Sequence, residues 1–328
     1  MLVSRRALIV GIDAYSTAPL KGCVSDANLM KSVLSKHEDG NPNFHCVSAA
    51  ENNGIVTRVS LKRKINDLFE GNADVALLYF AGHGTANNLG GYLVTQDAVR
   101  HDEGVAMQDI LSLANQARGV REIVVLLDCC NSGHFGQAST IPHDSVLLRE
   151  GLAILTASRA DQSAIETASG GMFTKLLIAA LSGGASDVLG KTTIASIYAY
   201  VDQVMGVWGQ RPLFKSHVST LISLRDCKPS VPLEELRMLP KDFPTPEYDF
   251  KLDPSYEPYK DDPEFAPILE PKDPDHEKVF NRLQKFRAAR LLNPVGEDHM
   301  YYAAMRKKSC KLTLLGHLYW QLAKDEKF

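Results

Sequence analysis

Two stretches decide the fold: VALLYFAGHGT at residues 75–85 and VVLLDCCNSG at residues 124–133. Each is an unbroken apolar run rich in β-branched or aromatic residues that stops at small, polar and nucleophilic ones. A run without polar alternation fits a strand covered on both faces. Similar runs occur at 7–12, 44–49, 151–157 and 217–224, and between the runs lie amphipathic helix candidates at 26–36, 57–69, 107–117, 172–181 and 193–207. Asp26 and Thr57 are placed to cap two of these helices. Apolar strands alternating with helices predict a three-layer α/β sandwich around a mostly parallel central sheet.

The chain has 328 residues, 45% of them hydrophobic and 23% charged, which suits one full domain with an appendage. Its apolar runs, such as ALIVGI at 7–12, are too short to span a bilayer, so the reading is a cytoplasmic protein with no membrane partner. Six cysteines (Cys23, Cys46, Cys129, Cys130, Cys227, Cys310) show no framework spacing and no CxxC pair. Reduced thiols are expected, and neither zinc nor dithiol redox chemistry is indicated.

Composition divides the chain into a domain at 1–226, a segment at 227–275 and a C-terminal module at 276–328. Residues 229–275 hold 11 of the 16 prolines, with 13 acidic residues against 5 basic. Proline fixes φ and removes an amide donor, so an extended strap or linker is expected there. Aromatics at Phe243, Tyr248, Phe250, Tyr256, Tyr259 and Phe265 favour a strap with something to bury. Residues 276–328 reverse the charge, with 11 basic residues against 5 acidic. They read as a helix at 277–292, a two-stranded turn and a last helix at 313–324. That is a small α+β module whose order resembles a winged helix.

In open α/β sheets, functional groups gather beyond the carboxyl ends of the strands. His83 and Cys130 both sit at such ends. A thiolate nucleophile needs an imidazole to take its proton and later protonate the leaving amine, and two neighbouring strands can supply that pair. The alternative is a packed pair of core thiols beside an ordinary polar histidine.

The segments ALIVGIDAY, LKGCVSDANLM, LLYFAGHGT, VVLLDCCNSG, ILTASRADQSAIE, GMFTKLL and GQRP together resemble the caspase-like cysteine peptidases, in the branch of metacaspases and bacterial caspase homologues. The resemblance covers residues 5 to about 225 in family order and implies the caspase-hemoglobinase-like fold. The 47-residue offset from His83 to Cys130 fits the roughly 50 seen in caspases. By this resemblance Cys130 is the nucleophile, His83 the general acid/base, and the amides of Gly84 and Cys130 form the oxyanion hole. Asp128 and Asp26, with Cys23, would line a pocket for the side chain before the scissile bond. Two carboxylates in a closed pocket favour Arg or Lys. A frequent family serine is Ala81 here, which leaves Arg against Lys open. Helix capping for Asp26 and a strand-end turn for Asp128 remain alternatives.

Ser158, with Arg159, Asp161 and Gln162, matches a loop beside the family's substrate cleft, Glu166 lies close behind, and Arg149 is a candidate self-processing site. No cofactor is expected. Calcium, which many metacaspases bind, is not favoured, because residues 83–104 offer only Asp97, Asp102 and Glu103 where six or more oxygen ligands are needed. The partners expected are a protein substrate and a regulatory protein docking on the C-terminal module. Nucleic-acid binding through Lys278, Arg282, Lys285, Arg287, Arg290 and 306–308 is the less favoured alternative. The combined reading is a regulated effector endopeptidase of the defence or cell-death type, and its rival is a catalytically silent scaffold.

Overall fold

The computed structural model describes residues 4–49, 55–88, 90–99, 102–129, 147–157, 166–167, 170–206, 211–259, 265 and 273–328. The chain forms two compact units, Met1–Ser186 with Lys191–Cys227, and Asp187–Gly190 with Lys228–Phe328.

The first unit opens with β1 (Arg5–Gly11), α1 (Cys23–Ser35), β2 (His45–Ser48), α2 (Arg58–Phe69) and β3 (Ala73–Ala81). A meander of β4 (Gly84–Asn87), β5 (Gly90–Val99) and β6 (Asp102–Ala106) leads to α3 (Met107–Gln116) and β7 (Val120–Asp128). Then come β8 (Leu152–Thr156), β9 (Glu166–Thr167), β10 (Gly170–Gly171), α4 (Met172–Ala179), β11 (Lys191–Thr193), α5 (Ile194–Met205), β12 (Leu213–His217) and β13 (Ser223–Asp226). The main sheet has the order β12-β8-β7-β3-β1-β2. Its strands are parallel except β12, which runs against β8.

Successive side chains of a strand point to opposite faces, and here both faces are apolar. Leu8, Val10, Leu78, Phe80, Val125 and Leu127 share a core with residues of α2 and α3. Ala7, Ile9, Leu77, Tyr79, Val124 and Leu126 share another with α1, α4 and α5. None of these twelve is more than 2% exposed, so the sheet is covered on both sides. That is the three-layer sandwich expected from the unbroken apolar runs.

Capping follows the sequence reading at Thr57, departs from it at Asp26, and adds Thr193. Thr57 and Thr193 open α2 and α5 with reciprocal bonds to Ser60 and Ser196. Asp26, expected as a cap, already lies in the first turn of α1. The carboxylate of Asp13, in the loop after β1, accepts instead from the amides of Cys23 (2.8 Å) and Val24 (3.3 Å). Helix α1 packs so tightly on β1 that a side chain at Gly11 would collide with the Cys23 carbonyl and Ala27.

One strand expectation changes, and one set of strands was not anticipated. The run at 217–224 is split between β12 and β13, which belong to different sheets. Strands β4, β5 and β6 form the unanticipated meander, and these half-buried strands contain glycines and polar residues and lack a strong alternating signal.

The second unit contains α6 (Leu233–Leu236), α7 (Leu239–Asp242), β14 (Phe250–Lys251), α8 (Pro274–Ala288), β15 (Leu292–Val295), α9 (Met300–Met305), β16 (Ser309–Leu312) and α10 (Leu314–Lys324). Among its described residues the proline-rich stretch is not uniformly extended, since it contains the short helices α6 and α7. Its Val231, Leu236 and Phe243 share one core with Phe280, Leu283, Phe286 and Trp320 of the basic segment. Pro240 lies in the first turn of α7, where a missing amide costs no helical bond. Phe243, Tyr248, Phe250 and Tyr256 meet in a chain of ring contacts. The two strands expected in the C-terminal module, β15 and β16, do pair, but α9 lies between them in sequence and β14 adds to the other side of β16, giving a three-stranded antiparallel sheet. Met300, Ala303 and Ala304, buried at helical spacing, explain why that segment coils. Among the described residues, no helix is long and apolar enough to cross a membrane.

Candidate active site

The strand register sets the carboxyl ends of the neighbouring central strands β3 and β7 side by side. Ala81 of β3 is paired with Asp128 of β7. The Gly82 amide donates to the Asp128 carbonyl at 3.3 Å. Ala81 is two residues before His83 and Asp128 two before Cys130. Cys130 itself lies outside the described residues, as do Ser158, Arg159, Asp161 and Gln162, while Glu166 is described only as backbone of β9.

His83 is fixed at three points. Its amide donates to the Tyr15 hydroxyl at 3.0 Å, and its carbonyl accepts from the Val94 amide at 3.0 Å. The imidazole Nε2 lies 2.6 Å from the Ala18 carbonyl oxygen. A carbonyl only accepts, so Nε2 carries a proton, and in the neutral ring Nδ1 is the basic nitrogen. Tyr15 also donates to the Val94 carbonyl at 3.2 Å, and its ring centroid stands 4.6 Å from that of His83. Burial raises the Tyr15 phenol above its ordinary value, which keeps it a neutral donor. A surface depression of ≈ 290 Å³ beside these groups is lined in part by Tyr15, Ala18, His83 and Gly84. Gly84, expected to offer an oxyanion amide, begins β4 opposite Leu93.

Asp26 and Asp128 meet at the start of α4. Asp26 Oδ2 accepts from the Gly171 amide at 2.8 Å. Asp128 Oδ2 accepts from the Thr174 amide at 3.2 Å and from its hydroxyl at 2.6 Å. First-turn amides carry partial positive charge and lack helical partners, so they stabilise buried carboxylates. The carboxylates need that help, being only 3% and 9% exposed. A side chain at Gly171 would strike the Asp128 carboxylate, so this close approach requires glycine. Asp26 thus assists the start of a helix, but of α4 and not of its own. Cys23 and Ala81 belong to the same buried cluster as Tyr79 and Phe173. The Tyr79 hydroxyl lies 2.6 Å from the Thr174 hydroxyl. Burial first, then the charges of Asp128 and Asp26, push the Tyr79 phenol well above its ordinary value.

Other expected residues serve local structure. Arg149 donates to the Val120 carbonyl at 2.5 Å while its own amide donates to Asn115, so cleavage there would first have to draw it from both. Asp97 accepts from the Arg58 amide and Asp102 pairs with the Arg58 guanidinium at 2.8 Å. Among the described residues there is no group of three or more His, Cys, Asp or Glu side chains able to hold a metal ion. In the second unit Lys278, Arg282, Lys285 and Arg306 are paired with Asp275, Asp242, Glu235 and Glu297.

Sequence reading missed Asp13, Tyr15, Ala18 and Thr174. The signal for three of them was present, since Asp13 and Tyr15 sit in ALIVGIDAY and Thr174 in GMFTKLL. Ala18 acts through its carbonyl, which no side-chain pattern reveals.

Comparison with known proteins agrees with this architecture. The caspase-domain profile matches residues 4–237. Among solved structures, the Geobacter sulfurreducens protein GSU0716 has a TM-score of 0.51 at 15% identity, covering 69% of this chain and 100% of its own. Caspase-1 from Spodoptera frugiperda has a TM-score of 0.49 at 13% identity, covering 69% of this chain and 91% of its own. No curated protein sequence matches significantly. With the profile spanning well over half of its length, the chain belongs to the caspase-domain (Peptidase_C14) family.

Proposed function

We propose that the protein is a cysteine endopeptidase that cleaves protein substrates after Arg or Lys. The Cys130 sulfur attacks the scissile carbonyl carbon and gives its proton to Nδ1 of His83. The tetrahedral oxyanion is held by the amides of Gly84 and Cys130. Collapse to a thioester breaks the C–N bond, and His83 returns the proton to the departing amine. Water, deprotonated by His83, then hydrolyses the thioester and regenerates the thiol. Asp26 and Asp128 receive the substrate cation, with Cys23, Ala81 and Ser158 completing the surroundings. No cofactor takes part in this scheme.

The observation that carries the reading is the register of Ala81 with Asp128, because it brings the approaches to His83 and Cys130 together beside two buried carboxylates. Activity is gated by a regulatory protein that docks on the second unit. Four of that unit's basic side chains already meet carboxylates, which favours protein docking over phosphate neutralisation.

The test is a panel of fluorogenic peptides ending in Arg, Lys, Asp or a neutral residue. It is run on the wild type, Cys130→Ala and His83→Ala, each with and without candidate activating proteins. Release after Arg or Lys that disappears in both variants is the expected result. Release after Asp would overturn the specificity, and release that survives Cys130→Ala would overturn the mechanism.

A further inference from the structure

Asp128 Oδ2 receives two hydrogen bonds from one residue, the amide and the hydroxyl of Thr174. An ionised carboxylate only accepts, so the Thr174 hydroxyl must point its proton at Asp128. The contact of 2.6 Å on its other side, to Tyr79, must then use the Tyr79 proton. Every link from Tyr79 through Thr174 to Asp128 therefore has a fixed direction. Tyr79 and Thr174 are fully buried, and in such surroundings successive hydrogen bonds strengthen one another.

Packing alone does not account for these hydroxyls. Phe in place of Tyr79 and Val in place of Thr174 would fill nearly the same space without two polar groups to bury. Both hydroxyls converge on the carboxylate that the Arg/Lys reading assigns to the substrate cation. Resting on that reading, we infer that Thr174, oriented by Tyr79, is a specificity-determining positioning residue that holds Asp128 in the attitude that receives the cation. The carboxylate is set before substrate arrives, so binding does not have to order it.

The experiment compares Thr174→Val, Thr174→Ser and Tyr79→Phe with the wild type on matched peptides ending in Arg or in its neutral isostere citrulline. Loss of a hydrogen bond to a charged group should raise KM for the Arg peptide roughly tenfold or more in Thr174→Val, with kcat changing less. The citrulline peptide should be unaffected, so the preference for the cation collapses. Thr174→Ser restores the preference, and Tyr79→Phe falls between. A merely structural Thr174 would lower both peptides together and leave the ratio unchanged, and that result overturns the inference.

Calorimetric binding of the Arg peptide to the Cys130→Ala protein separates this from the catalytic reading. Binding that weakens with Thr174→Val and recovers with Thr174→Ser supports the inference even if no peptide is cleaved. Arg binding or cleavage by the wild type that Thr174→Val leaves intact removes the inference and spares the proposed function. A protein that neither binds nor cleaves Arg peptides removes both.

Discussion

His83 Nε2 lies 2.6 Å from the carbonyl oxygen of Ala18, and Ala18 holds that oxygen with a φ of 55°, in the left-handed region. An alanine there costs about 1–2 kcal/mol relative to right-handed backbone. The acceptor belongs to the main chain, so the side chain can change without deleting it. Ala18→Gly should therefore retain activity and leave thermal stability equal or up to about 1 kcal/mol higher. Ala18→Val, with a branched Cβ at positive φ, should displace the carbonyl and lower kcat/KM about tenfold. Kinetics with an Arg peptide and thermal melts of both variants decide this, and equal activity in the valine variant would mean that the contact does not orient His83.

Tyr15 offers a second test of the same cradle. Tyr15→Phe keeps the ring beside His83 but leaves the His83 amide without the hydroxyl that accepts from it at 3.0 Å. An unsatisfied donor costs about 1–3 kcal/mol. If part of that cost appears as disorder of the imidazole, kcat should fall about tenfold while KM changes little. A drop in stability with unchanged kcat would assign Tyr15 to folding alone.

What the sequence disclosed, and what it hid, follows from where each signal resides. The central strands were legible because burial on both faces leaves an unbroken apolar run such as VALLYF. Asp26 and Asp128 were legible through family motifs, yet their shared partner was not, because α4 lies some 45 residues beyond Asp128 in sequence and meets it only in the fold. The β4-β5-β6 meander has no strong alternation, so neither its strands nor the bond from Val94 to His83 could be read beforehand. The proline-rich stretch misled because proline density argues for extension, whereas the apolar residues between the prolines built a core with the basic segment.

The core of the second unit rests in part on a buried ion pair. Arg282 meets Asp242 through two nitrogens, at 2.6 and 2.7 Å, with side chains 14% and 8% exposed. Asp242→Ala strands the guanidinium and should cost about 3–5 kcal/mol, whereas removing both charges in Asp242→Ala/Arg282→Met should recover much of that. Trp320 donates to the carbonyl of neighbouring Phe243 at 2.6 Å, so its fluorescence in a Trp208→Phe background reports this unit during urea unfolding. An unfolding midpoint unchanged by Asp242→Ala would show that the pair adds nothing.

Acid should loosen the first unit in two stages, beginning with His37. Its Nδ1 accepts the Asp226 amide at 2.9 Å, which requires an unprotonated nitrogen. Burial lowers its pKa most, Arg5 and Lys191 lower it further, and Asp226 and Asp39 oppose the shift. With the folded value below the unfolded value of about 6.5, its contribution is complete above that pH and is lost as pH falls through the folded value. Asp226 acts later. Burial raises its pKa, but bonds from Lys191 and Ser223 outweigh this and hold it below the ordinary carboxylate value, so its contribution is complete above about pH 4 and lost below. His37 is half-buried and solvent screens it, so the first stage should lower the melting midpoint by only about 1–2 °C. His37→Asn keeps an acceptor that does not titrate and should remove that stage while leaving the second. Melts from pH 8 to pH 3 give the comparison, and an identical first decline in the variant would place the sensitive group elsewhere.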